Sequence, residues 1–134
     1  MIIDGENCVL GRVATYAAKK ALEGEKVTIV NAEKMVITGN PRSVTEKYRK
    51  RFEIRDIGKP VKSPHFSKRP DLFVRRAIRG MLPRKTKRGI EAFKRIMVYM
   101  GDNGLTGEKV WEHKNPKASI ISILELCRAI GWKG

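Results

Sequence analysis

Two short β-branched runs flank one helical repeat at the start of the chain, and this order narrows the possible folds more than any other feature. "MIID" at 1–4 has the length and apolar character of a strand. From Gly11 to Glu23, Val13, Ala14, Ala17, Ala18, Ala21 and Leu22 recur at helical spacing, and Gly24 supplies the stop. "KVTIVNA" follows, nearly continuous in apolar residues, as a strand covered on both faces must be. Strand, helix and strand in that order indicate a parallel pair joined by a right-handed crossover. A helix whose inner face is so rich in alanine packs close to a flat partner, which a sheet provides.

"KMVITG" predicts a further short strand, and "TGNPRS" a helix start: Asn40 caps free N–H groups and Pro41 fits the first helical position. In that helix Val44, Tyr48 and Phe52 lie four apart on one face, while Lys47, Arg49, Lys50 and Arg51 load the rest. Residues 56–70, "DIGKPVKSPHFSKRP", hold three prolines and no period, so they read as an extended arm that stays mobile until something holds it. The helical pattern returns around Asp71–Leu82, with Val74, Ala77, Ile78, Met81 and Leu82 inward and Arg75, Arg76 and Arg79 on another face. A cationic loop follows from Arg84, anchored by Met81 and Leu82. "IEAF" reads as a brief helix, "RIMVYM" at 95–100 as a buried strand, "GDNGLTGE" as a connector and "SII" as a strand. Ser122 with Glu125 forms a capping box for the last helix. The expectation is an α/β fold: one domain over residues 1–134, with a small, largely parallel central sheet of about four strands flanked by helices, and a basic loop and arm extending from it.

Charge is distributed unevenly along this pattern. The net charge is +15, yet residues 1–41 carry five Lys/Arg against five Asp/Glu. Residues 42–95 carry nineteen against five, and residues 96–134 five against four. A surface meant only for solubility would mix signs; a one-signed block repels itself and is best stabilised by a polyanion. This makes 42–95 a nucleic-acid-binding region. No apolar run approaches the roughly 20 residues of a spanning helix, and the N-terminus has no signal-peptide core, so no membrane role is expected. Cys8 and Cys127, far apart and in no CxxC pair, read as reduced, buried residues of a cytoplasmic protein.

Catalytic and cofactor chemistry find little footing. "DGENCVLGR" joins a strand to a helix but matches neither GxGxxG nor GxxxxGK[ST]; Arg12 in it either touches phosphate or stands in solvent. His65 and His113 have no ligand partners at metal spacing. A nuclease needs clustered carboxylates, whereas Glu46, Glu53, Asp56, Asp71 and Glu91 are dispersed through the basic region. That reading and a DNA-compacting protein remain as alternatives, the latter without a helix-turn-helix or zipper. Arg75, Arg76 and Arg79 are more informative. Like charges at helical neighbours cost about 0.2–0.5 kcal/mol per pair, and no acid lies between Val74 and Lys87 to offset them. Arginine's planar fork suits phosphate.

"LGRVA" (10–14), "VNAEKMVITGN" (30–40), "RGMLPRKTKRG" (79–89) and "MVYMG" (97–101) together resemble the universal large-subunit ribosomal protein number thirteen family over nearly the whole chain. "KRP" at 68–70, the closing "GW" at 131–132 and the compact length resemble its archaeal branch. The resemblance implies a structural, cytoplasmic protein of the large subunit, bound to ribosomal RNA beside neighbouring ribosomal proteins. It implies no catalysis, cofactor, metal, membrane or small-molecule substrate. On the motif positions it implies RNA contacts at Arg12, at Arg69 with Lys68 beside it, and at Arg79, Lys85, Lys87 and Arg88. Arg84 departs from the histidine or lysine expected there but keeps the charge. Arg49, Lys50, Arg51, Arg75 and Arg76 rest on charge and helical phase. Residues 102–118 match the family poorly.

Overall fold

A computed structural model describes residues 1–54, 58, 61 and 67–134. Strand β1 (Ile2–Asp4) buries Ile3, then turns through Gly5, whose N–H donates to the Val30 carbonyl at 2.9 Å. Helix α1 (Leu10–Leu22) places Val13, Ala14, Ala17, Ala18 and Ala21 in the core, as the periodicity predicts. It ends at Gly24, whose φ of 99° is a conformation glycine adopts without strain. Strand β2 (Val27–Val30) runs parallel to β1, with Ile3 opposite Ile29.

The central sheet is parallel throughout. Its order is β4-β2-β1-β5, with β4 at Ile96–Val98 and β5 at Glu108–Lys109. Helices α3 (Pro70–Gly80) and α4 (Lys87–Lys94) pack against α1 and β4. The α/β architecture with four central strands is therefore as expected, but its membership differs. The strands read at "KMVITG" and "SII" form as β3 (Val36–Thr38) and β6 (Ile120–Ser122), yet they pair antiparallel with each other, apart from the central sheet. The fourth central strand is β5, which begins at the last residue of the segment read as a connector. Its two residues are both exposed and offer no apolar pattern, so only backbone pairing with β1 defines it.

Helix α2 (Pro41–Glu53) covers the small sheet. Asn40 accepts from the Arg42 N–H at 3.0 Å, and Pro41 occupies the first turn. No residue of α2 is fully buried; Val44, Tyr48 and Phe52 lean on Ile121, Leu126 and Ile130, the last beyond the end of α5 (Ile123–Ala129). Ser122 Oγ accepts from the Glu125 N–H at 3.2 Å, one half of the capping box. Cys8 and Cys127 are buried and unpaired. Among the described residues no helix is long and apolar enough to cross a membrane.

Two expectations need correction. Leu82 is buried, but Met81 is 45% exposed. Met81 follows the last residue of α3, where the chain leaves helical phase, so the inward stripe does not extend to it. The loop from Arg84 is also shorter than read: Lys87 and Arg88 already belong to the first turn of α4, which Thr86 caps. Most of the arm at 56–70 lies outside the described residues; Pro70 opens α3.

Candidate nucleic-acid interface

Helix α3 is fixed by Val74 and Ile78, both fully buried, and this phase decides where its arginines go. Arg75 is turned partly inward. Its guanidinium lies over the Phe93 ring, 4.2 Å from the centroid, and its Nε has no hydrogen-bond partner among the described residues. Arg76 and Arg79 are exposed. Partial burial, together with the positive charges of Arg79 and Arg84, holds Arg76 below the ordinary guanidinium value. It stays charged near neutrality regardless. The chain after α3 folds back so that Arg84 lines the same hollow as Arg79.

The fold-back is built by a tight corner. The Pro83 carbonyl accepts from both the Thr86 N–H at 3.0 Å and the Thr86 hydroxyl at 2.9 Å. Thr86 Oγ1 in turn accepts from the Gly89 N–H at 3.2 Å, capping α4. Gly89 lies so close to this corner that a Cβ there would overlap the Pro83 carbonyl oxygen and stand 2.6 Å from its carbon. The first turn of α4 thus carries Lys87 and Arg88 with no acid, at the end of a helix whose dipole is already positive. An anion relieves that repulsion and meets free backbone N–H groups as well. Between α3 and α4 lies a hollow of about 370 Å³ with Leu82, Ile90 and Phe93 as apolar lining and Arg79, Arg84 and Lys85 as cations.

On α2 the predicted cations divide by use. Arg49 donates from Nη2 to the Ala129 carbonyl at 3.2 Å, tying α2 to the end of α5. Arg51 lies over the Tyr48 ring at 5.0 Å, and Lys68 over Phe52 at 5.7 Å. Lys50 is exposed. Arg69 is paired with the largely buried Asp71 carboxylate at 2.9 Å. Arg51 and Arg76 line one hollow of about 200 Å³ whose aromatic residues are Tyr48, Phe52 and Phe73, so the α2 and α3 cations share a surface. Periodicity showed where the cations fall; it did not show that Phe93 supports Arg75, because that pair joins separate helices, whereas Arg51 and Tyr48 are neighbours three apart on α2.

Arg12 stands elsewhere, exposed in the first turn of α1 and 5.2 Å from the Trp111 ring centroid. The N-cap residue Val9 makes no side-chain hydrogen bond to this helix, and its first turn holds no acid. Thr15 on the same helix reaches Met81 Sδ at 3.5 Å, which joins this face to the corner after α3. Trp111 was not singled out from sequence; a lone aromatic residue in a polar connector was the available signal.

Among the described residues no three His, Cys, Asp or Glu side chains gather closely enough to hold a metal ion. Glu46 pairs with Arg42 at 3.8 Å. His65 lies outside the described residues.

Comparison with known proteins agrees with this basic α/β frame. The family model for ribosomal protein L13 matches residues 1–104. A large ribosomal subunit protein uL13 of Methanocaldococcus jannaschii is 42% identical over 134 residues, covering 98% of both chains. That of Archaeoglobus fulgidus is 36% identical over 99% of this chain and 88% of its own length. That of Methanopyrus kandleri is 48% identical over 75% of this chain, an alignment spanning 61% of the relative. With most of the sequence matched by the family model and a relative aligned almost end to end, the chain belongs to the ribosomal protein L13 family.

Proposed function

We propose that this chain is a structural constituent of the large ribosomal subunit that binds and stabilises folded ribosomal RNA and so supports subunit assembly. The observation that carries the reading is the gathering of Arg79, Arg84 and Lys85 around one hollow, with Arg76 exposed on the same helix and Lys87 and Arg88 beyond the Thr86-capped corner. No acid is supplied by the chain from Val74 to Lys87. Such a surface neutralises backbone phosphates where RNA strands approach each other, and phosphate contacts position a protein without reading sequence. Folded RNA is then recognised by shape. Arg51, Lys50 and Lys68 extend the surface on the α2 side. Arg49 and Arg69 act partly through the fold, since each has a carbonyl or carboxylate partner in the chain, and Arg75 does so through its partly inward seat on Phe93. On this reading the protein is a single domain, 1–134, with its basic region at 42–95. It works in the cytoplasm within the subunit, beside neighbouring ribosomal proteins, without catalysis or a cofactor.

The test is a salt series of affinity for large-subunit ribosomal RNA, run beside thermal melting. Changing Arg76, Arg79 and Lys87 to Gln should weaken binding and flatten its dependence on salt, by roughly 0.7–0.9 log–log units per lost phosphate contact. The melting point should hold or rise slightly as repulsion is relieved. A variant that melts far below wild type with an unchanged salt slope would make these cations structural and sink the assignment. Magnesium-dependent RNA cleavage by the pure protein would favour a nuclease instead, and equal affinity for duplex DNA would favour a DNA-compacting protein.

A further inference from the structure

Trp111 lies beyond the part of the chain that the family model matches, and it combines three unusual features. It is 52% exposed although it is the largest kind of apolar side chain. Its φ is 59°, a left-handed backbone conformation that bulky residues rarely adopt. The Arg12 guanidinium lies over its ring, 5.2 Å from the centroid. The strained position is held firmly: the Val9 N–H donates to the Trp111 carbonyl at 3.2 Å and the His113 N–H to the Asn7 carbonyl at 2.8 Å. Backbone strain maintained by surrounding bonds, with a large aromatic side chain displayed to solvent, is more often found at binding sites than in plain connectors.

Trp111 forms one wall of a groove of about 480 Å³ along α1, lined also by Val9, Arg12, Thr15, Tyr16 and Lys19. This lining carries two cations and no acid. The nearest acid in sequence, Glu112, pairs with Lys109 at 3.7 Å. Thr15 joins the groove to Met81 and hence to the cationic corner. We propose that this groove is a further RNA site, in which an unstacked nucleobase lies on the Trp111 ring while Arg12 and Lys19 meet its flanking phosphates. The proposal rests on the RNA-binding reading above but assigns a different contact. Planar stacking, adjacent cations and continuity with the corner favour a nucleotide over a peptide. A base needs only a flat ring and a cationic flank, and every base has a face to stack.

The experiment uses the full chain with Trp132→Phe, so that Trp111 is the only indole. Two probes of equal charge are compared: a short oligoadenylate RNA and a ribose-phosphate chain of the same length without bases. The oligoadenylate should quench Trp111 emission; the abasic chain should bind more weakly and leave emission unchanged. Equal quenching by both, or none while RNA is bound, overturns the proposal. Quenching by an acidic peptide but not by RNA assigns the groove to a protein and also overturns it. Trp111→Gly, in which glycine suits the positive φ, should retain the fold by circular dichroism yet lose roughly 5- to 150-fold in oligoadenylate affinity, the range that stacking of one base supports. Trp111→Phe should recover most of that loss. A folded Gly variant that binds oligoadenylate as tightly as wild type defeats the proposal. If wild type binds large-subunit RNA and the Gly variant matches it on both probes, this inference alone falls; if wild type fails to bind that RNA, both readings fall.

Discussion

Replacing Gly89 by alanine sets two effects of opposite sign against each other. Gly89 lies in the first turn of α4, where helix propensity alone favours Ala over Gly by up to about 1 kcal/mol. The tertiary contact opposes this. The added Cβ would overlap the Pro83 carbonyl oxygen, stand 2.6 Å from its carbon and 3.0 Å from the Pro83 ring. The first two are backbone atoms and cannot swing aside as a flexible side chain can. Overpacking of this kind costs about 1–3 kcal/mol. Opening the corner also loosens two bonds from Thr86 to the Pro83 carbonyl, each worth about 0.5–1.5 kcal/mol. The net is a loss of roughly 1–5 kcal/mol, or a melting point lower by at least about 3 °C for a chain of this size. Gly80→Ala, where an added Cβ meets nothing within 4 Å, serves as the control and should melt at or slightly above wild type. The assay is thermal melting by circular dichroism for both variants. If Gly89→Ala melts at or above wild type, the corner yields easily, and the argument that it holds Arg84 to Arg88 in place is wrong.

Leu82→Ala should destabilise the protein by about 2–5 kcal/mol because a buried side chain leaves a cavity, whereas Met81→Ala, at a half-exposed position, should cost less than about 1 kcal/mol; urea titration of both separates them. Burial, reinforced by the Asp71 carboxylate, pushes the Cys127 thiol up to about 12 from its ordinary 9.0. The folded state therefore favours the neutral thiol. The stability linked to it is intact below 9.0 and is lost as pH rises from there towards about 12. At about pH 8, where exposed thiols react readily, iodoacetamide should label Cys127 only after denaturant is added; fast labelling of the folded chain, read by mass spectrometry, would contradict this.

Much of the frame was legible from local rules. Alanine at helical spacing between two β-branched runs admits few structures other than a helix over parallel strands, and α1 buries the residues that period names. Asn40 with Pro41, Gly24 and Ser122 mark helix ends because capping is decided within a few residues of chain. The charge block at 42–95 needed no structure at all, since self-repulsion depends on composition. Belonging to a helix face was also visible for Arg76 and Arg79.

Tertiary structure decided what depends on contacts between distant residues. β5 has no apolar period, so nothing in "EK" distinguishes a strand from a turn until β1 pairs with it. The pairing of β3 with β6 spans most of the chain and cannot be read from either segment. Within the arginine run, the turn of about 100° between helical neighbours separates Arg75, lying on Phe93, from the exposed Arg76. Met81 and Leu82 are adjacent and both apolar, yet the end of α3 falls before them and sends only Leu82 into the core. Trp111 was silent in the sequence because its setting comes from Arg12, Val9 and Asn7, about a hundred residues earlier. Periodicity reports the direction a side chain takes from its own element; only packing reports what it meets there.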